Sequence, residues 1–273
     1  MLRGELVQMS SPLARPAYSD GGPRAEVHRQ RRVVEPLWRA ELGCWGHVTN
    51  GTLIGDALLS AIGPATTPRL PSQFVLGMDG MSGRKYRLFI NALMQLHGAD
   101  ARYLEVGSWK GSTLAAAIEG NKGHACCIDN WSEYGGPRDV FFANIAATRT
   151  ECTLEVIEAD FREVRYRSIK GGPFNIFLFD GPHNEQDQYD GIRRAQHALA
   201  DTFTLIVDDW NWLGVRTGTL RALIDAGLSV EHAIEIRTTR DNTDPPKHRT
   251  RGASDWHNGY FIAQIRKKPT RIG

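Results

Sequence analysis

The chain has 273 residues, of which 41% are apolar, and this is enough for one large domain with a hydrophobic core. Its 33 basic and 31 acidic residues leave a net charge of +2, which gives no reason to expect nucleic acid or an anionic membrane as a partner. We find no apolar run near the roughly 20 residues of a membrane span and no stretch typical of a signal peptide. We therefore expect a cytoplasmic protein that acts on a small molecule, and the sequence is compatible with a homo-oligomer.

The four cysteines do not occur in a spacing typical of a metal or redox site. Cys126 and Cys127 are adjacent within an apolar run, and Cys44 and Cys152 are far from them in sequence. Because a disulfide framework or a zinc site would need paired spacings, we expect reduced thiols in the core.

The first third of the chain predicts an arm followed by a cap. Residues 1–33 mix Pro, Ser, Gly and Arg without periodicity, which favours a flexible arm. Residues 34–75 hold short apolar pieces between prolines and glycines and predict an irregular cap with two short helices. From Ser82 onward, apolar residues at helical spacing predict a helix that ends near Gly98. We therefore expect a helical cap over 34–98 and a main domain over 99–273.

The main domain alternates between strand-like and helix-like segments. Short apolar runs predict strands at 102–106, 124–128, 154–158, 174–179 and 203–207, and the segments between and after them predict helices at 111–119, 138–149, 184–199 and 216–227. Two further strands, at 232–237 and 260–266, have no helix between them, which favours an antiparallel pair. This order predicts an α/β fold with a doubly wound, mostly parallel seven-stranded sheet, an antiparallel closing strand and an N-terminal helical cap.

A glycine turn and an acidic residue indicate a nucleoside-type cofactor. Gly107 and Gly111 follow the first strand, where glycine lets the backbone turn tightly and approach a ligand. Asp129 follows the second strand, where a carboxylate can accept hydrogen bonds from both hydroxyls of a ribose. The turn lacks the third glycine of a dinucleotide fingerprint, which makes NAD a poor candidate.

These residues resemble a known family. The turn from Glu105 to Gly111, Asp129, Asp160 and the closing antiparallel pair resemble the class I S-adenosylmethionine-dependent methyltransferases over Tyr103 to about Lys267. The resemblance implies a Rossmann-like methyltransferase fold that binds S-adenosyl-L-methionine. It also implies that the turn holds the methionine part of the cofactor, Asp129 the ribose and Asp160 the adenine amino group. The full set of predicted cofactor-binding residues is Met81, Glu105, Gly107, Ser108, Asp129, Asn130, Trp131, Asp160 and Asp180.

Three aspartates at the ends of two predicted neighbouring strands indicate a metal site. Asp180 follows the fourth strand, and Asp208 and Asp209 follow the fifth. Three carboxylates gathered there would repel one another unless a cation joined them, and such oxygen ligands suit Mg²⁺. The arrangement resembles the metal site of catechol-type and of sugar or small-molecule O-methyltransferases. We therefore predict a site for Mg²⁺ or another divalent cation at Asp180, Asp208 and Asp209.

His183 stands where the catechol-type enzymes have a lysine base. A histidine can act as a general base near neutral pH or can bind the metal itself. We predict catalytic roles for His183 and Asp180. The resemblance also extends to Gly80–Tyr86, which is similar to the stretch that closes over the cofactor in those enzymes.

The sequence is also compatible with four other interpretations. The aspartates could be solvated strand ends and His183 a surface residue. The chain could be a metal-independent methyltransferase that acts on nitrogen, carbon or a macromolecule, or a metal-dependent hydroxylase of the cephalosporin-modifying type. It could also be a nucleic-acid-binding module, and the basic residues for that role are Arg29, Arg31, Arg32, Lys247, His248, Arg249 and Arg251.

Overall fold

The computed structural model describes residues 52–62, 71–239, 241–243 and 255–268. The predicted arm at 1–33 and Cys44 lie outside the described residues. So do the basic residues considered for a nucleic-acid interface, which are Arg29, Arg31, Arg32, Lys247, His248, Arg249 and Arg251.

One seven-stranded sheet organises the described residues, with the strand order β3-β2-β1-β4-β5-β7-β6. Its strands are β1 (Arg102–Val106), β2 (Lys122–Asp129), β3 (Glu151–Glu158), β4 (Phe174–Phe179), β5 (Leu199–Val207), β6 (Leu228–Ile236) and β7 (Tyr260–Lys267). The first five strands pair in parallel, and β7 runs antiparallel to both of its neighbours, β5 and β6. The predicted doubly wound sheet with an antiparallel closing strand is therefore confirmed.

Seven α-helices accompany the sheet among the described residues. They are α1 (Leu53–Ile62), α2 (Gln73–Leu76), α3 (Arg84–His97), α4 (Ser112–Ile118), α5 (Arg138–Ala146), α6 (Glu185–Ala195) and α7 (Leu213–Asp225). The helix predicted at 184–199 ends four residues early, because Leu199 already pairs with Phe174 in the sheet. No helix in the described part of the chain is long and apolar enough to span a bilayer.

The sheet separates two hydrophobic layers. Along β1, Tyr103 belongs to the layer that includes α1, α3 and α4, and Leu104 belongs to the layer that includes α6 and α7. Successive strand residues point to opposite faces, and Cys126 and Cys127 are divided between the two layers in the same way. Both thiols are free and buried, as is expected of reduced core cysteines. Helices α1 and α3 thus share one core with the sheet.

Candidate active site at the carboxyl ends of the strands

A cleft of about 270 Å³ lies at the carboxyl ends of β1, β2, β3 and β4. In a doubly wound sheet this is the expected position of a ligand site, because β1 and β4 are neighbours whose connections leave in opposite directions. The predicted site residues that line the cleft are Met81, Gly107, Ser108, Asp129, Asn130, Trp131, Asp160, Asp180 and His183. Glu105, Asp208 and Asp209 are not among its lining residues.

The glycine turn packs directly on the end of β4. Gly107 has a φ of +85°, and a Cβ at this position would lie 1.9 Å from the carbonyl oxygen of Asp180. The Asp180 N–H donates to the Val106 carbonyl at 2.9 Å, which holds the two strand ends together. Only glycine fits the conformation and the space, so the first residue after β1 meets the first residue after β4.

Asp129 organises the two loops that flank the cleft. Its Oδ2 accepts the backbone N–H groups of Ser108 and Trp109, each at 2.7 Å, and its Oδ1 accepts the N–H of Trp131 at 2.7 Å. A carboxylate offers about four acceptor positions. Three of them are already used, so one position on Oδ1 is left for a ligand hydroxyl rather than the two that the sequence suggested.

Trp131 is mostly buried and takes part in the same arrangement. Its Nε1–H donates to the Trp109 carbonyl at 2.8 Å, and its ring packs against Phe141 with centroids 5.0 Å apart. Asn130 also borders the cleft, and its Oδ1 accepts the N–H of Ser132 at 3.1 Å. Trp131 thus stiffens the loop in addition to lining the cleft, and its role in cofactor binding remains a prediction.

An arginine that sequence reasoning missed holds Asp160 in place. Arg162 Nη1 donates to Asp160 Oδ2 at 2.8 Å, and Arg162 Nη2 lies 2.5 Å from Asp187 Oδ1 on α6. All three side chains border the cleft. Nothing in the sequence links Arg162 with Asp187, because the contact arises only when the loop after β3 meets the start of α6.

Sequence reasoning also missed Arg87 on α3. This arginine supports the segment before α3, which borders the cleft. Arg87 is 3% exposed and donates to the carbonyls of Val75 and Met78 and to Ser82 Oγ, at 3.1, 2.8 and 2.9 Å. Met81, which is 40% exposed, lines the cleft from this segment. Met81 and Ser82 of the Gly80–Tyr86 stretch therefore border the cleft, and closure of this stretch over a cofactor remains a prediction.

Asp180, His183 and Asp209 form an acidic centre at one end of the cleft. One ligand atom from each lies within 4.8 Å of the other two. His183 Nε2 is 2.5 Å from Asp209 Oδ2 and 3.7 Å from Asp180 Oδ1. The predicted aspartates 180 and 209 therefore come together, and His183 joins them.

Asp208 lies outside this group. Its carboxylate is buried, and Oδ1 accepts the N–H of Asp209 at 2.7 Å. It forms a second group with Asp209 and His257, whose Nδ1 is 4.0 Å from Asp209 Oδ1. Asp209 Oδ1 also accepts a hydrogen bond from Asn258 Nδ2 at 2.5 Å. Asp209 thus belongs both to the acidic centre and to the second group, whereas Asp208 belongs only to the second group.

Burial and charge together set the protonation of the acidic centre. Burial acts to lower the pKa of His183, but the carboxylates of Asp180 and Asp209 outweigh it and raise that pKa to about 10. Burial also acts to raise the pKa of Asp209, and the adjacent His183 ring reverses this and lowers it. Burial raises the pKa of Asp208 well above its usual range, with the charges of Asp180 and Asp209 adding to the effect. Without a bound cation His183 is therefore an imidazolium, and binding an ion through Nε2 would require the loss of that proton.

Glu105 sits beneath the cleft. It is fully buried, and its Oε2 accepts the hydroxyl of Tyr103 at 2.5 Å. Burial raises the pKa of Glu105 to about 8, although the Tyr103 hydrogen bond acts to lower it. Glu105 is therefore placed to support the turn from below, and direct contact with a cofactor remains a prediction.

Four of the six non-glycine residues with positive φ in the described part of the chain lie near this edge of the sheet. Trp109, Trp131, Tyr134 and Asp209 all have positive φ angles, of 45°, 48°, 48° and 55°. Such conformations are costly for residues other than glycine, and they persist mainly where surrounding contacts enforce them. All four lie in loops that follow β1, β2 or β5, so the strain points to the same edge of the sheet as the cleft does.

Comparisons with known proteins agree with this architecture. Residues 104–210 match the family model of a methyltransferase domain. An O-methyltransferase from Bacillus cereus in complex with SAH shares 15% identity and a TM-score of 0.50, with 77% of this chain and 96% of that chain covered. Cofactor-bound Rv0187 from MTB shares 17% identity and a TM-score of 0.47, with 80% and 94% covered. A search of curated protein sequences gives no match.

The fold is thus the Rossmann-like fold of the class I methyltransferases. The matched segment runs from Leu104 in β1 to Trp210 after β5, and it contains the glycine turn, Asp129 and the acidic centre. Residues 104–210 therefore match a methyltransferase-domain model, and the described sheet has the same fold as the O-methyltransferase from Bacillus cereus.

Proposed function

We propose that the chain is an S-adenosylmethionine-dependent methyltransferase that transfers a methyl group to an oxygen of a small molecule, assisted by a divalent cation. The observation that carries the proposal is the contact between Gly107 and Asp180. It brings the turn that would hold the methyl donor against the strand end that carries the acidic centre. A donor and a cation-bound hydroxyl would therefore be neighbours in one cleft.

The cofactor half of the proposal rests on the glycine turn and Asp129. Gly107 lets the end of β1 pack against the Asp180 carbonyl, and Gly107, Ser108 and Trp109 then border the cleft. Asp129 retains one acceptor position for a ribose hydroxyl, while Asp160, fixed by Arg162, borders the cleft further along. These groups suit the polar parts of a nucleoside cofactor.

The cation half rests on the donors of the acidic centre. Two carboxylates and one ring nitrogen converge there, and Nε2 of His183 is buried without a well-directed hydrogen bond. This donor set fits a divalent cation, for which Mg²⁺ is the first expectation from the family resemblance. A bound cation would orient a substrate hydroxyl and lower its pKa.

The chain's own residues supply the remaining requirements for methyl transfer. The acceptor must be held in line with the methyl group and must lose a proton. Asp180 lines the cleft beside the turn, so it is placed to orient the hydroxyl and to accept that proton. Met81 and Tyr134 border the cleft from two different loops, and closure of these loops over a ligand would exclude water from the reaction.

Calorimetric titration of S-adenosylmethionine into the purified full chain tests the cofactor. We expect one site per chain, lost in Asp129→Ala and kept in Asp201→Ala, which removes an exposed carboxylate at the far end of β5. Thermal unfolding of each variant would check that the fold survives. Absence of binding to the wild-type chain, with and without a divalent cation, would contradict the proposed methyltransferase.

The same titration in a chelating buffer separates the oxygen-directed reaction from its alternatives. We expect the cofactor to bind in both buffers and an added acceptor hydroxyl to bind only with the cation. Acceptor binding that is the same with and without the cation would favour a metal-independent methyltransferase. Cation binding without cofactor binding would favour the hydroxylase interpretation.

A further inference from the structure

We propose that His183 is a ligand of the bound cation, and that the centre formed by Asp180, His183 and Asp209 therefore selects a first-row transition-metal ion such as Mn²⁺ or Co²⁺ over Mg²⁺. The inference rests on the cation half of the proposed function. It replaces the three-aspartate set expected from the sequence with a set of two carboxylates and one imidazole.

The first argument is the direction of the imidazole. Nε2 of His183 is buried, and it makes no well-directed hydrogen bond. Nε2 faces two carboxylates: an oxygen of Asp209 lies 2.5 Å away, and an oxygen of Asp180 lies 3.7 Å away. Adjacent ligands on one ion with bonds near 2.1 Å are separated by about 3 Å, so a small relaxation places all three atoms around a common ion.

The second argument is the support behind the three donors. The His183 ring packs edge-on against Trp212, with centroids 4.9 Å apart, which fixes its orientation. Asn258 donates to Asp209 Oδ1, and this leaves Oδ2 of the same carboxylate facing His183. Residues that orient a ligand in this way are typical of metal centres.

The third argument excludes Asp208. Its carboxylate groups with Asp209 and His257, not with Asp180 and His183. It also accepts the backbone N–H of Asp209, so its main contact supports the strand end. Removing Asp208 from the ligand set leaves one nitrogen among three protein ligands.

The ligand types decide the ion. Mg²⁺ prefers oxygen donors and retains several waters, whereas the affinity of a site that contains nitrogen rises along the first-row transition ions, from Mn²⁺ through Co²⁺ to the later ions. An oxygen-only site of the kind predicted from the sequence would discriminate less between Mg²⁺ and Mn²⁺. The nitrogen donor is therefore the feature of this chain that sets its metal preference.

The experiment uses the full chain after treatment with a chelator. Mn²⁺ binding is followed by electron paramagnetic resonance, and electron spin-echo modulation detects nitrogen bound to the ion. We expect one Mn²⁺ per chain with nitrogen coupling, and binding at least about tenfold tighter than that of Mg²⁺. In His183→Ala the coupling disappears and Mn²⁺ affinity falls about tenfold or more, while Mg²⁺ affinity changes much less.

Three further variants make the result specific. His183→Asp would make all three protein ligands carboxylates. This variant should bind both Mn²⁺ and Mg²⁺, with a smaller ratio between the two affinities. His257→Ala tests the second group around Asp209, and His232→Ala removes an exposed histidine on β6. Both should keep the nitrogen coupling. Coupling that survives in His183→Ala, or no Mn²⁺ binding to the wild-type chain, would overturn the inference.

The cofactor titration distinguishes this failure from failure of the proposed function. S-adenosylmethionine binding in a chelating buffer does not depend on which residues bind the metal ion. If the cofactor binds but the nitrogen coupling is absent, the methyltransferase stands and the role of His183 is wrong. If the coupling is present but the cofactor does not bind, the metal centre stands and the methyltransferase is wrong.

Discussion

Gly107 and Asp180 are in backbone contact across the switch point of the sheet, where a Cβ on residue 107 would fall 1.9 Å from the Asp180 carbonyl oxygen. The contact joins the end of β1, with its glycine turn, to the end of β4, with its acidic centre. The separation between the two halves of the candidate site is therefore fixed by main-chain atoms, and substitutions at this contact should affect both halves.

Gly107→Ala should disrupt the cleft. Alanine at a φ of +85° costs about 1–2 kcal/mol, and the clash with Asp180 adds to this because the two strand ends must separate. We expect lower stability in urea and loss of S-adenosylmethionine binding in calorimetry. Gly227→Ala is the matched control, since Gly227 also has a positive φ but nothing lies within 4 Å of its Cβ position. Equal losses in both variants would show that the contact with Asp180 is unimportant.

Arg87→Met should loosen the segment that includes Met81. Three backbone carbonyls and Ser82 Oγ lose their donor, which we expect to cost about 3 kcal/mol of unfolding free energy. Limited proteolysis should then cut within 77–83, and cofactor affinity should fall. Arg84→Met changes an arginine on the same helix whose Nη1 donates to Gln73 Oε1 at 3.4 Å on the exposed surface, so it should behave as the wild type. Wild-type proteolysis in Arg87→Met would contradict this role.

Glu105 should make stability depend on pH. Burial raises its folded-state pKa to about 8, so the folded protein retains a proton that the unfolded chain releases near its usual pKa of about 4.5. Stability from this group is full at low pH and is lost as pH rises between these two values, by a few kcal/mol on an order-of-magnitude basis. Glu105→Gln keeps the neutral shape, and the slope of unfolding free energy against pH should become flatter. An unchanged slope would mean that Glu105 is ionised in the fold.

Substitutions of the adjacent residues Asp208 and Asp209 should have very different effects on Mn²⁺ affinity. Asp209→Asn removes a charged donor that faces His183, so we expect Mn²⁺ affinity to fall about tenfold or more. Asp208→Asn keeps an oxygen that can accept the Asp209 N–H, and we expect affinity within about threefold of the wild type. Isothermal titration with Mn²⁺ measures both. A larger loss in Asp208→Asn would restore Asp208 to the ligand set.

Much of the fold followed from local pattern. The first strand, Arg102–Val106, and the fourth, Phe174–Phe179, were predicted at their observed bounds, because each is a run of strand length next to glycine or proline. The helix predicted to reach residue 199 was too long, since pairing of Leu199 with Phe174 overrides helical preference there. A pairing between segments so far apart in sequence has no local signal.

In the candidate site, too, some features have a local sequence signal and others depend on contacts between distant segments. The sequence by itself determined which chemical groups stand at the strand ends, including the glycine at 107 and the acids at 129, 160, 180 and 209, because strand periodicity reveals where each strand stops. It could not reveal Arg87 or Arg162, whose partners come from distant segments.

Only the tertiary structure decided which of these groups meet. Neighbouring residues project in different directions, and the positive φ of Asp209 turns its carboxylate toward His183 while Asp208 remains buried behind it. The contact between Gly107 and Asp180 likewise exists only because β1 and β4 lie side by side in the sheet. Composition and spacing select the chemistry of the strand ends, but the order of strands and the local dihedral angles set the distances on which a metal centre or a methyl transfer depends.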